Sequence, residues 1–489
     1  MLINILVSVL AVVLFFTALM LVRTTQMMKG QPSVEEIEPI EVDVERAAKH
    51  LSAAVQVPTV SNGHEPINLP VFQELHQMLE SSYPLVHQYL KREIISNATL
   101  LYTWEGTNPD LKPVLFAAHQ DVVPAEEQTL DAWTYPPFSG EIAEGFIWGR
   151  GSLDIKSQMI AVFEAVEHLL AEGYKPPRTI LMGFGEDEEV GGHNGAKKIA
   201  EYLEAQGIHL AAMLDEGGSI MQGTVPGVDI PVALIGTAEK GHLSLKLRAE
   251  AKPGHSAMPT QDMAIGRLAR ALARLDARRM PVNMKALQDL FKGLGAATSF
   301  GIQFVFSNLW FFGPIARQQV QENPQTDATV RTTTALTIVH GGVKDNILPH
   351  SAEAIVNMRL LPGDTIAKTC ERVRKIINDD QVHFEPVENA YWEASPVSST
   401  DSAAFHTLSD SIRQVFDGVV VAPFLVLGAT DARYYAGLSD SVYRFSPYQV
   451  TSVDIGRVHG IDERLSVEGM GKMVAFFVHL MRAWSGEDL

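Results

Sequence analysis

The 489-residue chain has 46 % apolar and 20 % charged residues, an ordinary composition for a globular protein with a large core. Its length exceeds that of one typical domain, so we expect two folded units plus an appendage. The formal net charge of −19 argues against nucleic acid as a partner, because phosphate binding requires clustered Lys and Arg. Cys370 is the only cysteine, which excludes intramolecular disulfides and multi-cysteine metal sites.

The first predicted element is an apolar helix over residues 2–22, where the first charged side chain is that of Arg23. About 20 apolar residues allow a helix to cross the hydrocarbon core of a membrane. A cleaved signal peptide is the alternative, but it normally has a basic start and a small-x-small cleavage site, and this segment has neither. We therefore predict a membrane anchor or signal-anchor with its linker over residues 1–30. Arg23 and Lys29 follow the span, which on the positive-inside rule favours a cytoplasmic catalytic domain.

Residues 42–237 alternate helical patterns with short apolar runs, which is typical of a layered α/β domain. The runs at 114–118, 179–184 and 210–214 each end in a polar cluster. In open α/β sheets the active site lies outside the carboxyl ends of the strands, so we expect these clusters to meet.

The pattern changes near Gly236, where alternating strand patterns and amphipathic helices predict a compact α+β unit inserted into the first domain. The predicted boundaries are 38–237 for the first part of the catalytic domain, 238–388 for the inserted unit and 389–489 for the second part. The apolar stretch 299–312 lies within the inserted unit. It fits buried core, a membrane-surface helix or the wall of an acyl pocket, and these three interpretations stay open.

The polar clusters contain the residue types that a pair of divalent ions requires. Such a pair needs His and carboxylate ligands, a bridging carboxylate and a separate carboxylate that accepts a proton from water. His119 and Asp121 lie two apart at a strand end, so their side chains leave the same face. Asp154 stands where a helix begins, and a helix cap is its alternative role. The acidic run 186–189 fits a solvated loop, but crowding four like charges costs stability unless cations compensate.

These clusters occur in a characteristic order: HQDVVP, GRGSLDIK, EDEEVGG, LDEGG, GHSAMP, GATDAR and VHGIDE. From about residue 42 onward the chain resembles the dizinc metallopeptidase family of carboxypeptidase G, aminoacylase and carboxypeptidase S. It is most similar to the branch of carboxypeptidase S and N-fatty-acyl-amino-acid synthase/hydrolase. The resemblance implies an α/β zinc-peptidase sheet domain, with an inserted ferredoxin-like α+β lid domain and an amino-terminal membrane helix.

The resemblance also implies residue roles. Two Zn²⁺ ions per subunit would be bound, one by His119 and Asp215 and the other by Glu189 and His459, with Asp154 bridging them. Glu188 would be the general base, and Asp121 would orient His119. The residues expected to hold the substrate's carbonyl and carboxylate are His255, Asn346, Arg359 and Arg433.

The implied activity is hydrolysis of an amide bond next to a free carboxylate, in N-acyl amino acids or at peptide carboxyl termini, or the reverse condensation of fatty acid with amino acid. A short-peptide carboxypeptidase is the alternative. A catalytically silent, membrane-anchored binding protein would be expected to lack ligands or base, and a serine hydrolase would need a Gly-x-Ser-x-Gly elbow. The family further implies a small-molecule substrate, an extracytoplasmic (periplasmic, lumenal or secreted) catalytic domain and a homodimer through the lid.

Overall fold

The computed structural model describes residues 1–63, 65–225 and 227–489. Its α-helices are α1 (Leu2–Met27), α2 (Val44–Gln56), α3 (Leu69–Ser82), α4 (Pro84–Tyr89), α5 (Lys156–Ala171), α6 (Ala196–Ala205), α7 (Ala264–Ala277), α8 (Lys285–Leu294), α9 (Phe300–Ser307), α10 (Leu309–Val320), α11 (Pro324–Val330), α12 (Ile366–Ile377), α13 (Ala403–Val415), α14 (Ser452–Ile455) and α15 (Val467–Ser485).

The strands are β1 (Lys91–Ile94), β2 (Leu100–Trp104), β3 (Val114–His119), β4 (Ile142–Ala143), β5 (Phe146–Trp148), β6 (Ile180–Gly185), β7 (Ala212–Asp215), β8 (Ile220–Gln222), β9 (Val232–Glu239), β10 (Gly241–Glu250), β11 (Gly254–His255), β12 (Thr333–Gly341), β13 (Ile347–Leu348), β14 (Ser351–Leu360), β15 (Val382–Trp392), β16 (Val420–Val426), β17 (Val442–Arg444), β18 (Gln449–Thr451) and β19 (Arg464–Ser466).

A large mixed sheet forms the centre of the molecule, and β3 lies in it between β6 and β7, parallel to both. Strand β3 is buried along its whole length, with Leu115 in the core beside α6 and Phe116 in the core beside α5 and α15. Helices therefore cover both faces, which is why the strand is a continuous apolar run. The predicted α/β fold is confirmed, and the carboxyl ends of β3, β6 and β7 share one edge.

A second, four-stranded antiparallel sheet has the strand order β12-β14-β10-β15, and helices α7 and α12 pack on one of its faces. In β10 the alternate residues Leu243, Leu245 and Leu247 are buried against these helices, as the period of two along a strand requires. Along the chain the elements that form this sheet and its helices are β10, α7, β12, β14, α12 and β15, with further short elements between them.

Helices α8 to α11 lie within the predicted inserted unit in chain order and pack on the large sheet. Leu287 and Phe291 of α8 share a core cluster with Leu234 of β9 and Ala422 beside it on β16. This segment therefore covers the large sheet, because its amphipathic face matches the apolar face of β9 and β16. Helix α1 is long and apolar enough to cross a membrane, by length and composition.

Candidate metal centre

The strand ends deliver three clusters to one edge of the large sheet. His119 is the last residue of β3, the acidic run 186–189 follows β6, and Asp215 ends β7. Asp154 arrives from the loop before α5, and His459 from the loop after α14. The three strand ends meet because β3, β6 and β7 are parallel, and two loops add Asp154 and His459 at the same edge.

Asp154 lies between two histidines. Its Oδ1 is 3.2 Å from Nε2 of His119, and its Oδ2 is 3.0 Å from Nε2 of His459. Nε2 of His459 is also 3.2 Å from Oε2 of Glu189. Two groups of potential ligand atoms therefore share Asp154. One group also contains Glu189 and His459, and the other contains His119 and Glu216; within each group all the ligand atoms lie within 4.8 Å of one another. This is the arrangement that a bridging carboxylate requires.

The group around His119 contains Glu216, whereas the sequence pointed to its neighbour Asp215. Oε1 of Glu216 is 3.3 Å from Nε2 of His119. Asp215 is buried in β7, and one of its carboxylate oxygens has no hydrogen-bond partner among the described residues. Adjacent residues at a strand end point to opposite faces, so one of the two carboxylates is turned away from His119. Burial raises the pKa of Asp215 to about 6 and that of Glu216 to about 8.

Asp121 organises the acidic turn as well as the imidazole. The backbone N–H groups of Glu188 and Glu189 donate to its two carboxylate oxygens at 3.1 and 3.2 Å. Nδ1 of His119 lies 2.8 Å from the backbone carbonyl of Asp121 and 3.5 Å from its carboxylate. The expected orientation of His119 by Asp121 is therefore made mainly through the main chain, and the carboxylate fixes the turn that carries Glu188.

The electrostatics of the cluster reflect crowded charge. Burial alone would lower the pKa of His119, but bonds to Asp121, Asp154 and Glu216 raise it well above its ordinary value. Burial, followed by the charge of Glu216, raises the pKa of Glu188. The raised pKa values of Glu188 and Glu216 show that ionised carboxylates are disfavoured in this cluster, and bound cations would offset that cost.

Glu463 supports the loop that carries Asp154, a role that the sequence did not indicate. Its Oε1 accepts hydrogen bonds from the N–H groups of Gly151, Leu153 and Asp154 at 2.9, 2.8 and 3.1 Å. Its other oxygen pairs with Arg150, and both side chains are buried. Glu463 follows His459 by four residues, so one loop supplies both a candidate ligand atom and the clamp of hydrogen bonds that holds the Asp154 loop. The only available signal was the acid at the end of VHGIDE.

Two arginines, Arg359 and Arg433, form a positively charged cluster next to the acidic turn. Arg433 donates to the carbonyl of Gly191 at 2.7 Å and stacks over the ring of Trp392 at 4.7 Å. Arg359 stands opposite His242 in the β10–β14 ladder, and burial followed by the charge of Arg433 lowers its pKa. Neither arginine makes an ion pair with an acidic side chain among the described residues. Burial and then both arginines lower the pKa of His242 to about 4, so the positive charge of this cluster is suited to an anion.

His255 and Asn346 lie elsewhere: His255 ends β11, and Asn346 directly precedes β13, the strand that pairs with β11 in a separate two-stranded sheet. The backbone N–H of Ser256 donates to the carbonyl of Asn346 at 3.1 Å, which keeps the two residues together. The His255 side chain is exposed, and its ring accepts a hydrogen bond from the N–H of Ala257. Within the described residues of one chain, the structure does not bring this pair to the candidate metal centre.

The mixed α/β sheet, with two His–carboxylate groups at its strand ends, defines a hydrolase of the metallopeptidase class. Residues 115–483 match peptidase family M20/M25/M40, and the chain belongs to this family. The crystal structure of an M20 family metallo-carboxypeptidase from Sulfolobus solfataricus has the same fold, with a TM-score of 0.64 and 17 % identity over 90 % of this chain and 99 % of that one.

Relatives are similar over most of their length. A probable carboxypeptidase S-like 2 of Dictyostelium discoideum is 40 % identical over 95 % of this chain and 91 % of its own. N-fatty-acyl-amino acid synthase/hydrolase PM20D1 of Xenopus tropicalis is 37 % identical over 98 % and 93 %. Carboxypeptidase S of Saccharomyces cerevisiae is 31 % identical over 91 % and 88 %. The predicted family and branch are confirmed.

Proposed function

We propose that this enzyme hydrolyses the amide bond next to a free carboxylate, with N-acyl amino acids as the substrate class. The observation that carries the proposal is the position of Asp154 between two groups of potential metal ligands. The charges of Glu216 and His119 act on Glu188, and Arg359 and Arg433 lie near each other with no acidic ion-pair partner among the described residues. Relatives that are named for N-fatty-acyl amino acids and for carboxypeptidase S both support a substrate with a terminal carboxylate. A short-peptide carboxypeptidase is the alternative substrate class.

The donor set fits two zinc ions. Imidazole nitrogens and carboxylate oxygens are zinc ligands, and each group supplies one histidine together with the shared Asp154. Oε1 of Glu189 is buried and has no hydrogen-bond partner among the described residues, as expected of an oxygen that binds a cation in the metal-loaded protein. On geometry we assign Glu216 rather than Asp215 to the group of His119, with Asp215 as the alternative.

Two zinc ions, when bound, would supply acidification of water and polarisation of the scissile carbonyl. Glu188 takes a proton from the attacking water and returns it to the leaving nitrogen. The carboxylate of Asp121 keeps Glu188 in place by accepting its backbone N–H. Arg359 and Arg433 hold the substrate carboxylate, because planar guanidinium groups match its two oxygens.

The four-stranded sheet with α7 and α12 is proposed to act as the ferredoxin-like lid. In chain order the proposed domain limits are 38–237, 238–388 and 389–489, and helices α8 to α11 within 238–388 pack on the large sheet. The exposed residues His255 and Asn346 would contact the substrate carbonyl and carboxylate after the lid moves or from a second copy of the chain. A homodimer through the lid is part of this proposal, and strand β12, an edge of the four-stranded sheet with exposed residues, is the surface for it. Light scattering of the purified protein tests the dimer.

Helix α1 is proposed to anchor the enzyme in a membrane as a single span. It is near the amino terminus, and only Met20 and Thr24 among its residues are buried. The family resemblance favours an extracytoplasmic catalytic domain, whereas Arg23 and Lys29 after the span favour the opposite face. Protease protection in sealed vesicles, together with amino-terminal sequencing, decides both the orientation and whether the segment is cleaved.

The activity is tested by measuring zinc content by mass spectrometry together with release of amino acid from N-acyl-phenylalanines and from short peptides. The Glu188→Gln variant, purified in parallel, controls for contaminating hydrolases. Faster release from acylated amino acids supports the proposal, and faster cleavage of peptides moves the assignment to the carboxypeptidase. Two zinc ions with no release from either class would identify a binding protein on a silent hydrolase fold.

A further inference from the structure

Helix α1 is joined to the globular part by a small buried polar network. The hydroxyl of Thr24 lies 2.9 Å from that of Ser307, and Nδ2 of Asn308 donates to the carbonyl of Met20 at 3.3 Å. Nε of Arg23 donates to the carbonyl of Ser307 at 3.1 Å. Small and amide side chains of this kind hold helices together in apolar surroundings. The last turns of α1 are thus fixed to the junction of α9 and α10.

The same junction presents large apolar side chains to the outside. Phe311 and Ile315 lie four residues apart on α10, with exposed fractions of 60 % and 66 %. Trp310 is half exposed, and its ring centroid is 5.7 Å from that of Phe16 in α1. By contrast, Phe306 of α9 is buried in a stack with Phe291. The outer part of this segment is therefore continuous with the apolar surface of α1 and does not belong to the core.

The position of Trp310 along α1 defines its depth. Phe16 precedes Arg23 by seven residues, which corresponds to ~10 Å at the rise of an α-helix. The hydrocarbon core of a bilayer is ~30 Å thick. A side chain that touches Phe16 thus lies within the bilayer whenever α1 spans it. A recess beside Ser307, at the carboxyl-terminal end of α1, is lined by Arg23, Lys29 and Lys292, and Asp289 is the one acidic residue in its lining. Its net positive charge would then lie at the level of the lipid phosphates.

We propose that α9 and α10 insert their apolar surface into the lipid bilayer beside α1. This inserted surface, which we call the wedge, would attach the enzyme to the membrane in addition to the spanning helix α1. The occupant of this surface is lipid, because the surface is continuous with a helix whose other apolar residues are also exposed. Trp310 fits the boundary region, which tryptophan prefers. The inference rests on the proposed anchoring by α1 and is independent of the proposed reaction.

The test uses the full chain in phosphatidylcholine vesicles. Starting from Cys370→Ser, the single changes Leu10→Cys, Phe311→Cys, Ile315→Cys and Tyr89→Cys each receive a nitroxide label. Collision rates with oxygen and with a water-soluble nickel chelate then report the depth of each label. Tyr89 is the matched control, since it is 61 % exposed on α4, outside this surface.

Labels at 311 and 315 are expected to behave like the label at 10, with frequent collisions with oxygen and few with the nickel chelate. The label at 89 is expected to collide often with the nickel chelate and less often with oxygen. A lipid-like label at 10 with water-like labels at 311 and 315 would overturn the wedge and leave the anchor intact. Water-like labels at 10, 311 and 315 would overturn both. A protein–protein contact at this surface would exclude both collision partners, which also contradicts the proposal.

A second measurement needs no cysteine. Brominated phosphatidylcholine should quench part of the tryptophan fluorescence of the native protein, and the quenched part should be lost in Trp310→Phe. Equal quenching of the native and variant proteins would overturn the proposed depth of Trp310.

Discussion

His459 Nε2 lies 3.0 Å from Oδ2 of Asp154, while the other oxygen of the same carboxylate faces His119 at 3.2 Å. His459 adopts a left-handed backbone conformation, with a φ of 61°, in a loop just before Gly460. Such a conformation is uncommon for a residue other than glycine and clusters at functional sites. It turns the imidazole towards Asp154 and Glu189, so the loop conformation itself serves the site.

The first prediction concerns the shared carboxylate. Asp154→Ala should lower zinc occupancy at both positions, because it removes an oxygen from each ligand group, whereas His459→Ala should mainly empty one position. Mass spectrometry under native conditions counts the ions in each variant. Selective loss of a single ion in both variants would contradict a bridging role for Asp154.

Neighbouring carboxylates provide a matched pair of variants. Glu216→Gln should weaken zinc binding by more than ~10-fold, since it removes a charged oxygen 3.3 Å from His119. Asp215→Asn should have a smaller effect, because its side chain lies outside that ligand group. Competition with a zinc chelator measures both affinities. The reverse order would restore Asp215 as the ligand.

Replacing Glu188 should separate metal binding from turnover. Glu188→Gln keeps the side chain's size but removes its ability to accept a proton, so kcat should fall by ~10²- to 10⁴-fold. Zinc content should stay at the native level, because Glu188 is outside both ligand groups. A variant with nearly native kcat would show that another group is the base.

Zinc binding should release protons. In the metal-free protein, bonds to Asp154 and Glu189 raise the pKa of His459 to about 10, and burial raises that of Glu216 to about 8. Both groups therefore hold a proton at pH 7, whereas metal ligands must be deprotonated, so zinc affinity should increase as pH rises towards 10. Titration calorimetry in two buffers of different ionisation enthalpy measures the release.

The His459→Ala variant is the control for that experiment and should release fewer protons per zinc bound. Heats that do not depend on the buffer in the native protein would refute the predicted protonation of the metal-free site.

Acyl length provides the last prediction. If a long-chain acyl group is bound, each buried methylene should contribute up to ~0.8 kcal/mol, so kcat/KM should increase by up to about fourfold per methylene until the site is full. N-acyl-phenylalanines from acetyl to long-chain, below their micelle concentrations, are the substrates to compare. A flat series or a preference for acetyl would favour the short-peptide carboxypeptidase. The scattered placement of Phe300, Phe306 and Phe311 does not support a single acyl pocket within residues 299–312.

Much of the fold could be predicted because strands and helices leave periodic patterns of apolar residues in short stretches of sequence. The apolar runs before His119 and Asp215 are strands buried on both faces, and such strands are readable as uninterrupted apolar sequence. The alternation in β10 and the terminal helix α15 follow from the periods of strand and helix. The common edge of the clusters follows from parallel strand order.

The details of the site depend on directions that a sequence does not encode locally. Whether Glu216 or Asp215 faces His119 is decided by how the chain leaves β7. Asp121 bonds to His119 mainly through its carbonyl, a main-chain contact that no residue pattern specifies. The packing of α8 on β16 is equally non-local, since its amphipathic face fits either sheet.

The clamp by Glu463 has a consequence for the biosynthesis of the protein. The amide of Asp154 and the carboxylate of Glu463 are 309 positions apart, and the chain leaves the ribosome amino terminus first. A nascent chain that ends before residue 459 lacks both an imidazole of the site and the clamp on the Asp154 loop. A translation product that stops before residue 459 therefore lacks the complete site, so the last 31 residues of the chain are needed before the candidate site can be assembled.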